Sequence, residues 1–258
     1  MDQQVVRSRD NPLVKQLRSL RRSRERRRAP FFLVEGPKFV LEGVAAGIEI
    51  LALVVSEDFK DALPPVAERT KVLRVSARIF EELSDTPSPR GILAQVRRSW
   101  STVADLAAAG KHVLVAWGVQ DPGNVGTMIR CAAAFGLAGV IVSPHAADPF
   151  APKAVRASAA AILHHPPARA AHLGALTATL QDAGCRTCWT GPRAPIPISS
   201  LPVGSPLAVF IGPEGKGFSQ AERETIGDGI CIPMAAEVES LNAAAAAAIL
   251  AYELARRS

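Results

Sequence analysis

The chain has 258 residues, of which 48% are apolar and 21% charged, with a formal net charge of +6. These values exclude a wholly disordered or fibrous protein, and the length suits one large or two ordinary domains that bury a core without disulfide or metal staples. No stretch approaches the roughly 20 uninterrupted apolar residues of a membrane span, and no apolar segment follows the arginine-studded N-terminus, so a soluble cytoplasmic protein is expected.

The positive charge is concentrated at the start of the chain. Residues 1–28 hold ten Lys or Arg against Asp2, Asp10 and Glu25, a net of +7, which leaves about −1 for everything else. Asn11 and Pro12 mark a helix start, and Leu13, Leu17 and Leu20 recur at helical spacing. Lys15, Arg18, Arg21 and Arg22 cover the other sides, and Arg24 and Arg26 extend the run. This density exceeds what solubility requires, and the planar guanidinium suits phosphate, so these six residues are expected to contact nucleic acid. The segment has no Trp or Phe to seat it on a membrane surface.

Beyond it, period-two and period-3.6 stretches alternate: a strand at 31–36, a helix from Pro37, strand IEILALVVS, a helix near 58–69, strand KVLRVS, a helix from Ala77 and strand GILAQVRR. The Ala- and Ser-rich stretch 101–111 reads as a short helix or tether, giving a first domain at 1–100, a linker at 101–111 and a second domain at 112–258. In the second domain, apolar strands HVLVAWGV, GVIVS, CRTCWT, LAVFIG and ICIPM are separated by helices from about Gly123, near 152–162, near 171–183 and from Ser219. A last helix runs from Ser240 to Arg256. That alternation predicts an α/β fold with a mostly parallel sheet covered on both faces. The alanine run 243–248 lets another backbone approach closely, so this helix is expected to be tightly packed.

The four cysteines are too scattered for a disulfide framework, and Cys185 and Cys188 form a C-x-x-C in a strand-like run without the helix start that activates a redox pair. None of the five histidines has ligand spacing, so no metal is expected.

Three segments of the second domain each end a strand and open a turn, where an open α/β sheet binds ligands. In QDPGNVGTMIRCAAAFG, Asn124 reads as the N-cap, which puts Arg130 in the second turn as either a solvated residue or an anion binder. In FIGPEGKGFS, three glycines surround Glu214; the stretch lacks a P-loop's G-K-[ST] ending. In IPMAAEVESLNAAAAAA, Ser240 reads as an N-cap, which leaves Asn242 free to offer an amide to a ligand.

In this order and spacing, N-V-G-x-x-I-R-x-A-x-x-F-G, G-P-E-G-x-G and I-P-M followed by S-L-N resemble the three motifs of the SpoU (TrmH-type) family of RNA ribose 2′-O-methyltransferases in the SPOUT superfamily. The resemblance spans about residues 110–256, and K-A-V-R-A-S at 153–158 is similar too, with Ala159 and Ala160 standing where a small or glycine-containing pair is usual. N-P-L-V-K, F-x-x-E-G at 32–36 and R-G-I-L-A resemble the substrate-binding domain of many members, itself similar to the ribosomal-protein fold that recognises kink-turns. The resemblance implies a deep trefoil knot, a homodimer with sites near the subunit interface, S-adenosylmethionine as cofactor and RNA as partner, ribosomal RNA before transfer RNA.

It also implies site roles. Backbone around Gly212, Ile232 and Leu241 would hold the cofactor, and Asn124, Arg130, Glu214, Ser240 and Asn242 would form the catalytic set. The implied reaction is in-line attack of a ribose 2′-oxygen on the cofactor's methyl group, with the carbon–sulfur bond breaking and neutral S-adenosylhomocysteine leaving. A guanidinium stays protonated and cannot serve as a general base, so Arg130 is expected to bind the neighbouring phosphate, with the proton passing to that phosphate, water or another acceptor. Glu214 would orient Arg130 or Asn124. A non-catalytic RNA-binding protein of the same fold and a methyltransferase acting on a base nitrogen are the alternatives.

Overall fold

The structure, a computed structural model, describes residues 4–201 and 204–256; Asp2, counted above with the basic segment, lies outside them. The chain forms two compact units, residues 1–99 with 150–164 and residues 100–149 with 165–258. No helix among the described residues is long and apolar enough to cross a membrane.

The first unit opens with α1 (Pro12–Ser19), whose N-cap Asn11 accepts from the backbone N–H groups of Leu13 and Val14. Leu13, Leu17 and Leu20 are buried against Val54, Val75 and Phe80, so the apolar spacing marks the packed face. Next come α2 (Ser23–Arg28), β1 (Phe31–Glu35), α3 (Pro37–Ala45), β2 (Ile50–Ser56), β3 (Lys71–Val75), α4 (Ala77–Leu83) and β4 (Ile92–Arg97). The four strands form one sheet in the order β1-β4-β2-β3, antiparallel except for the β2/β3 pair. The helix expected near 58–69 is absent and the segment is irregular, because Pro64 and Pro65 remove two backbone donors and bar the α conformation before them.

The second unit begins with α5 (Val103–Ala108), held by a Thr102–Asp105 capping box and burying Leu106 and Ala107, so the expected linker carries a packed helix. It continues with β5 (Val113–Ala116), α6 (Pro122–Ala134) and β6 (Gly139–Val142). The helix expected near 152–162 is two pieces, α7 (Pro152–Ala157) and α8 (Ala161–His164), and it groups with the first unit. The break is local: Ala159 and Ala160 have φ of 48° and 68°, the left-handed region that ends a right-handed helix. The chain then runs through β7 (Ala168–Arg169), α9 (Leu173–Asp182), β8 (Arg186–Thr190), β9 (Ile196–Pro197), β10 (Leu207–Ile211), α10 (Gln220–Ile226), β11 (Asp228–Cys231) and α11 (Ala243–Ala255).

The seven strands of this unit form a sheet in the order β7-β6-β5-β10-β8-β11-β9, parallel at every pairing. All its carboxyl ends therefore open on one edge, and β10, β8 and β11 are neighbours there. In α11, Ala243, Ala247 and Ala251 are buried at successive fourth positions and the helix packs on α6 within the chain. Its other side leaves Ile249 and Tyr252 exposed.

Candidate active site

The chain segments that leave β8, β10 and β11 at this edge enclose a pocket of about 560 Å³, within the range of small-molecule and cofactor sites. Gly212, Ile232 and Leu241 all line it, as do Glu214, Ser240 and Asn242. Among the described residues, none of Gly212, Ile232 and Leu241 has its amide or carbonyl taken by another backbone group. The pocket thus offers free strand-end backbone beside apolar side chains of Ile211, Met234 and Leu250.

The glycines contribute in different ways. Gly215 and Gly217 have φ of 86° and 61°, so the turn requires them. Gly212 is needed for space, since a Cβ there would lie 2.8 Å from Cε2 of Phe218, whose ring fills that side. The far wall is Trp189: it has Gly191 and Gly229 against its ring, donates Nε1–H to the Gly227 carbonyl at 3.0 Å and carries the Arg223 guanidinium 4.7 Å from its ring centroid. Sequence reading missed this wall, for an aromatic residue alternating with glycines across two strands separates from ordinary core only once the strands are paired.

Helix starts place the polar groups. The N-cap of α6 is Asp121, which accepts from Asn124 N–H at 3.1 Å; the expected cap Asn124 sits inside the first turn, and Arg130 falls in the third turn. Proline at the first helical position, Pro122, is the signal that marks Asp121. At α11 the expectation is reversed again. Asn242 is the cap, accepting from Ala244 and Ala245 N–H, while Ser240 lies two residues before it on the pocket wall.

Because Asn124 is freed from capping, its side-chain amide donates to Glu214 Oε1 at 2.9 Å, and Asn242 Nδ2 donates to Asn124 Oδ1 at 3.3 Å. Gln120 N–H adds a bond to Glu214 Oε2 at 3.2 Å. Burial raises the Glu214 pKa, but the Asn124 amide, its own backbone N–H and the Gln120 N–H outweigh it, so Glu214 ionises below the ordinary glutamate value. It is a fixed anion at neutral pH. Arg130 is exposed on α6, does not line the pocket and has no polar partner among the described residues. Within one chain the structure therefore joins Asn124, Glu214 and Asn242, sets Ser240 beside them and leaves Arg130 apart.

Cys185 and Cys188 are buried free thiols, and burial, then Asp228, push Cys188 up to about 12 against the opposing pull of Arg186. In the basic segment Lys15 pairs with Asp10 at 2.8 Å, Arg18 lies 3.8 Å from Glu82, and Arg21 and Arg26 donate to the carbonyls of Glu82 and Leu20. Arg22 and Arg24 are exposed.

A parallel α/β sheet whose strand ends enclose a pocket with free backbone groups and a fixed carboxylate is the framework of a small-molecule-binding enzyme. The chain belongs to the SpoU rRNA Methylase family, which matches residues 111–252, and residues 11–94 match the MRM3-like substrate binding domain. It is 30% identical to an uncharacterised tRNA/rRNA methyltransferase of Synechocystis sp., over 98% of this chain and 93% of that protein. It is also 30% identical to the 23S rRNA (guanosine(2553)-2'-O)-methyltransferase RlmP of Bacillus subtilis, over 96% and 98% of the two chains. The AdoMet-bound rRNA methyltransferase from Sinorhizobium meliloti superposes with a TM-score of 0.86 at 27% identity, covering 98% of this chain and 97% of that one.

Proposed function

We propose that this chain is an S-adenosylmethionine-dependent RNA methyltransferase that modifies a ribose 2′-hydroxyl, with structured ribosomal RNA as substrate. The observation that carries the reading is the pocket: its volume suits an adenosine-sized ligand, and its free backbone groups at Gly212, Ile232 and Leu241 can pair with an adenine edge and a ribose. The ribosomal RNA 2′-O activity named for the Bacillus subtilis relative supports the substrate and acceptor atom. The cofactor supplies an electrophilic methyl group on a sulfonium sulfur.

The chain's own residues position and polarise. Glu214 holds the Asn124 amide, Asn242 fixes the other face of that amide, and Ser240 offers a hydroxyl beside them. Arg130 binds the phosphate next to the target ribose and lowers the effective pKa of the hydroxyl, whose proton leaves to that phosphate, to water or to a neighbouring acceptor. Since Arg130 stands away from the pocket of its own chain, it serves the pocket of a partner subunit in a homodimer. The exposed Ile249 and Tyr252 of α11, with Tyr252 edge-on to Phe135 beyond the end of α6, support a subunit contact on this side. Threading of the second and third motif regions, FIGPEGKGFS and IPMAAEVESLNAAAAAA, into a trefoil knot, an RNA-binding role for the first unit and a cytoplasmic location belong to the same reading.

Arg130→Ala tests it. Calorimetry is expected to give S-adenosylmethionine affinity within a few-fold of wild type while transfer to unmodified ribosomal RNA is lost, because the guanidinium acts on substrate and transition state. Absence of cofactor binding in the wild type, or undiminished transfer by the variant, contradicts it.

A further inference from the structure

Ion pairing divides the basic N-terminal segment into unlike parts. Arg7 pairs with Glu57 at 2.7 Å and Lys15 with Asp10 at 2.8 Å, one cation to one anion. Around Glu82 of α4 the balance is different. Arg9 donates from Nε to Oε1 at 2.9 Å and also bonds it through Nη2; Arg18 lies 3.8 Å from Oε2 and Arg78 lies 3.9 Å from Oε1. Arg21 joins through a neutral acceptor, donating Nη1–H to the Glu82 carbonyl oxygen at 2.9 Å. Three guanidinium groups, from the chain before α1, from α1 and from α4, meet one carboxylate and a fourth, from beyond the end of α1, meets the carbonyl of the same residue, so four cations against one anion leave a net of +3 in one patch.

Fold stability does not call for this arrangement, since three arginines beyond the first add mutual repulsion on an exposed surface. Phosphate recognition does. Guanidinium groups already oriented by a shared acceptor lose less freedom when they engage a phosphate, and each retains donors that Glu82 does not use. Other parts of the first unit fit less well. Arg22, Arg24, Arg27 and Arg28 project from or beside the six-residue α2, which buries nothing, so they attract RNA without orienting it. A concavity near residues 56–61 and 89–91 carries Asp58, Asp61 and Glu81 against Lys60 and Arg90, a net of −1 that repels phosphate.

We infer that Arg9, Arg18, Arg21 and Arg78 form a docking site for the phosphodiester backbone of the RNA, and that Glu82 gathers these groups and sets the affinity by competing with phosphate for them. The inference rests on the RNA reading above. Arg9, Arg78 and Glu82 lie outside the set expected from the sequence, because only the folded unit brings α4 to the basic helix.

The test is affinity of the full chain for a labelled 23S ribosomal RNA transcript across a salt series. Glu82→Gln is expected to bind at least about threefold more tightly at low salt, with a log-log slope steeper by about 0.7 to 0.9, the change for one further neutralised phosphate. The Arg9→Gln/Arg78→Gln double variant should flatten the slope by about twice that amount. Wild-type affinity and slope in both variants, with a flattened slope in an Arg24→Gln/Arg27→Gln/Arg28→Gln variant, overturn the docking site and leave the RNA reading standing. Failure of the wild type to bind the transcript overturns that reading and the inference with it. Arg78 is 79% exposed at its side chain, so Arg78→Gln alone decides the matter should Glu82→Gln not fold.

Discussion

Asn242 carries two tasks that the sequence divides between two residues. Its Oδ1 caps α11 by accepting from Ala244 and Ala245, and its Nδ2 donates to Asn124, which Glu214 holds from the other side. The tasks separate chemically, because aspartate caps a helix as well as asparagine and offers no amide donor. Asn242→Asp is therefore expected to keep thermal stability within about 0.5 kcal/mol of wild type while lowering kcat by about 10- to 100-fold. A melting curve and a transfer assay on the same preparation check both halves; equal loss of stability and turnover would make the residue a cap alone. Asp121 and Asn242, in place of Asn124 and Ser240, cap their helices for one local reason. A capping side chain must precede the first helical residue, and spacing alone fixes that boundary only to within a few positions. Pro122 was the legible mark for one helix, whereas the alanine run of α11 has no such mark.

At the scale of elements, long periodic segments were readable and short or interrupted ones were not. Leu13, Leu17 and Leu20 announce α1, and the Val- and Ile-rich runs announce the strands of both sheets. Two-residue strands such as β7 and β9 leave no period to detect, and the prolines at 64 and 65 override the helical composition around them. The α7–α8 break is the clearest case of a local conformation at odds with its residues. Left-handed φ costs an L-residue roughly 1–2 kcal/mol, and the half-buried Ala159 has little packing to lose. Ala159→Gly is expected to stabilise the protein by about 0.5–1 kcal/mol after the added unfolded-state entropy of glycine is subtracted. That raises Tm by about 1–4 °C. A lower Tm would mean that the Ala159 methyl group packs better than its exposure suggests. The site itself was legible as three motifs and illegible as a network, because Glu214 and Asn124 are 90 positions apart and meet only where β5 and β10 lie side by side.

For the whole molecule, the proposal that Arg130 serves the pocket of a partner subunit predicts that activity is a property of two copies. Mixing equal amounts of Arg130→Ala protein, inactive alone, and Asn242→Asp protein, at most about a tenth as active as wild type, should restore up to about a quarter of wild-type activity after subunit exchange, since half the dimers are then mixed and each has one complete site. No recovery despite demonstrated exchange would return Arg130 to its own chain's pocket. The chemistry of the product identifies the acceptor atom. Wild-type protein, labelled S-adenosylmethionine and an unmodified 23S ribosomal RNA transcript should yield, after complete digestion and mass spectrometry of the nucleosides, one 2′-O-methylnucleoside carrying the label. Label on a base nitrogen, or none in RNA although the cofactor binds, would contradict it.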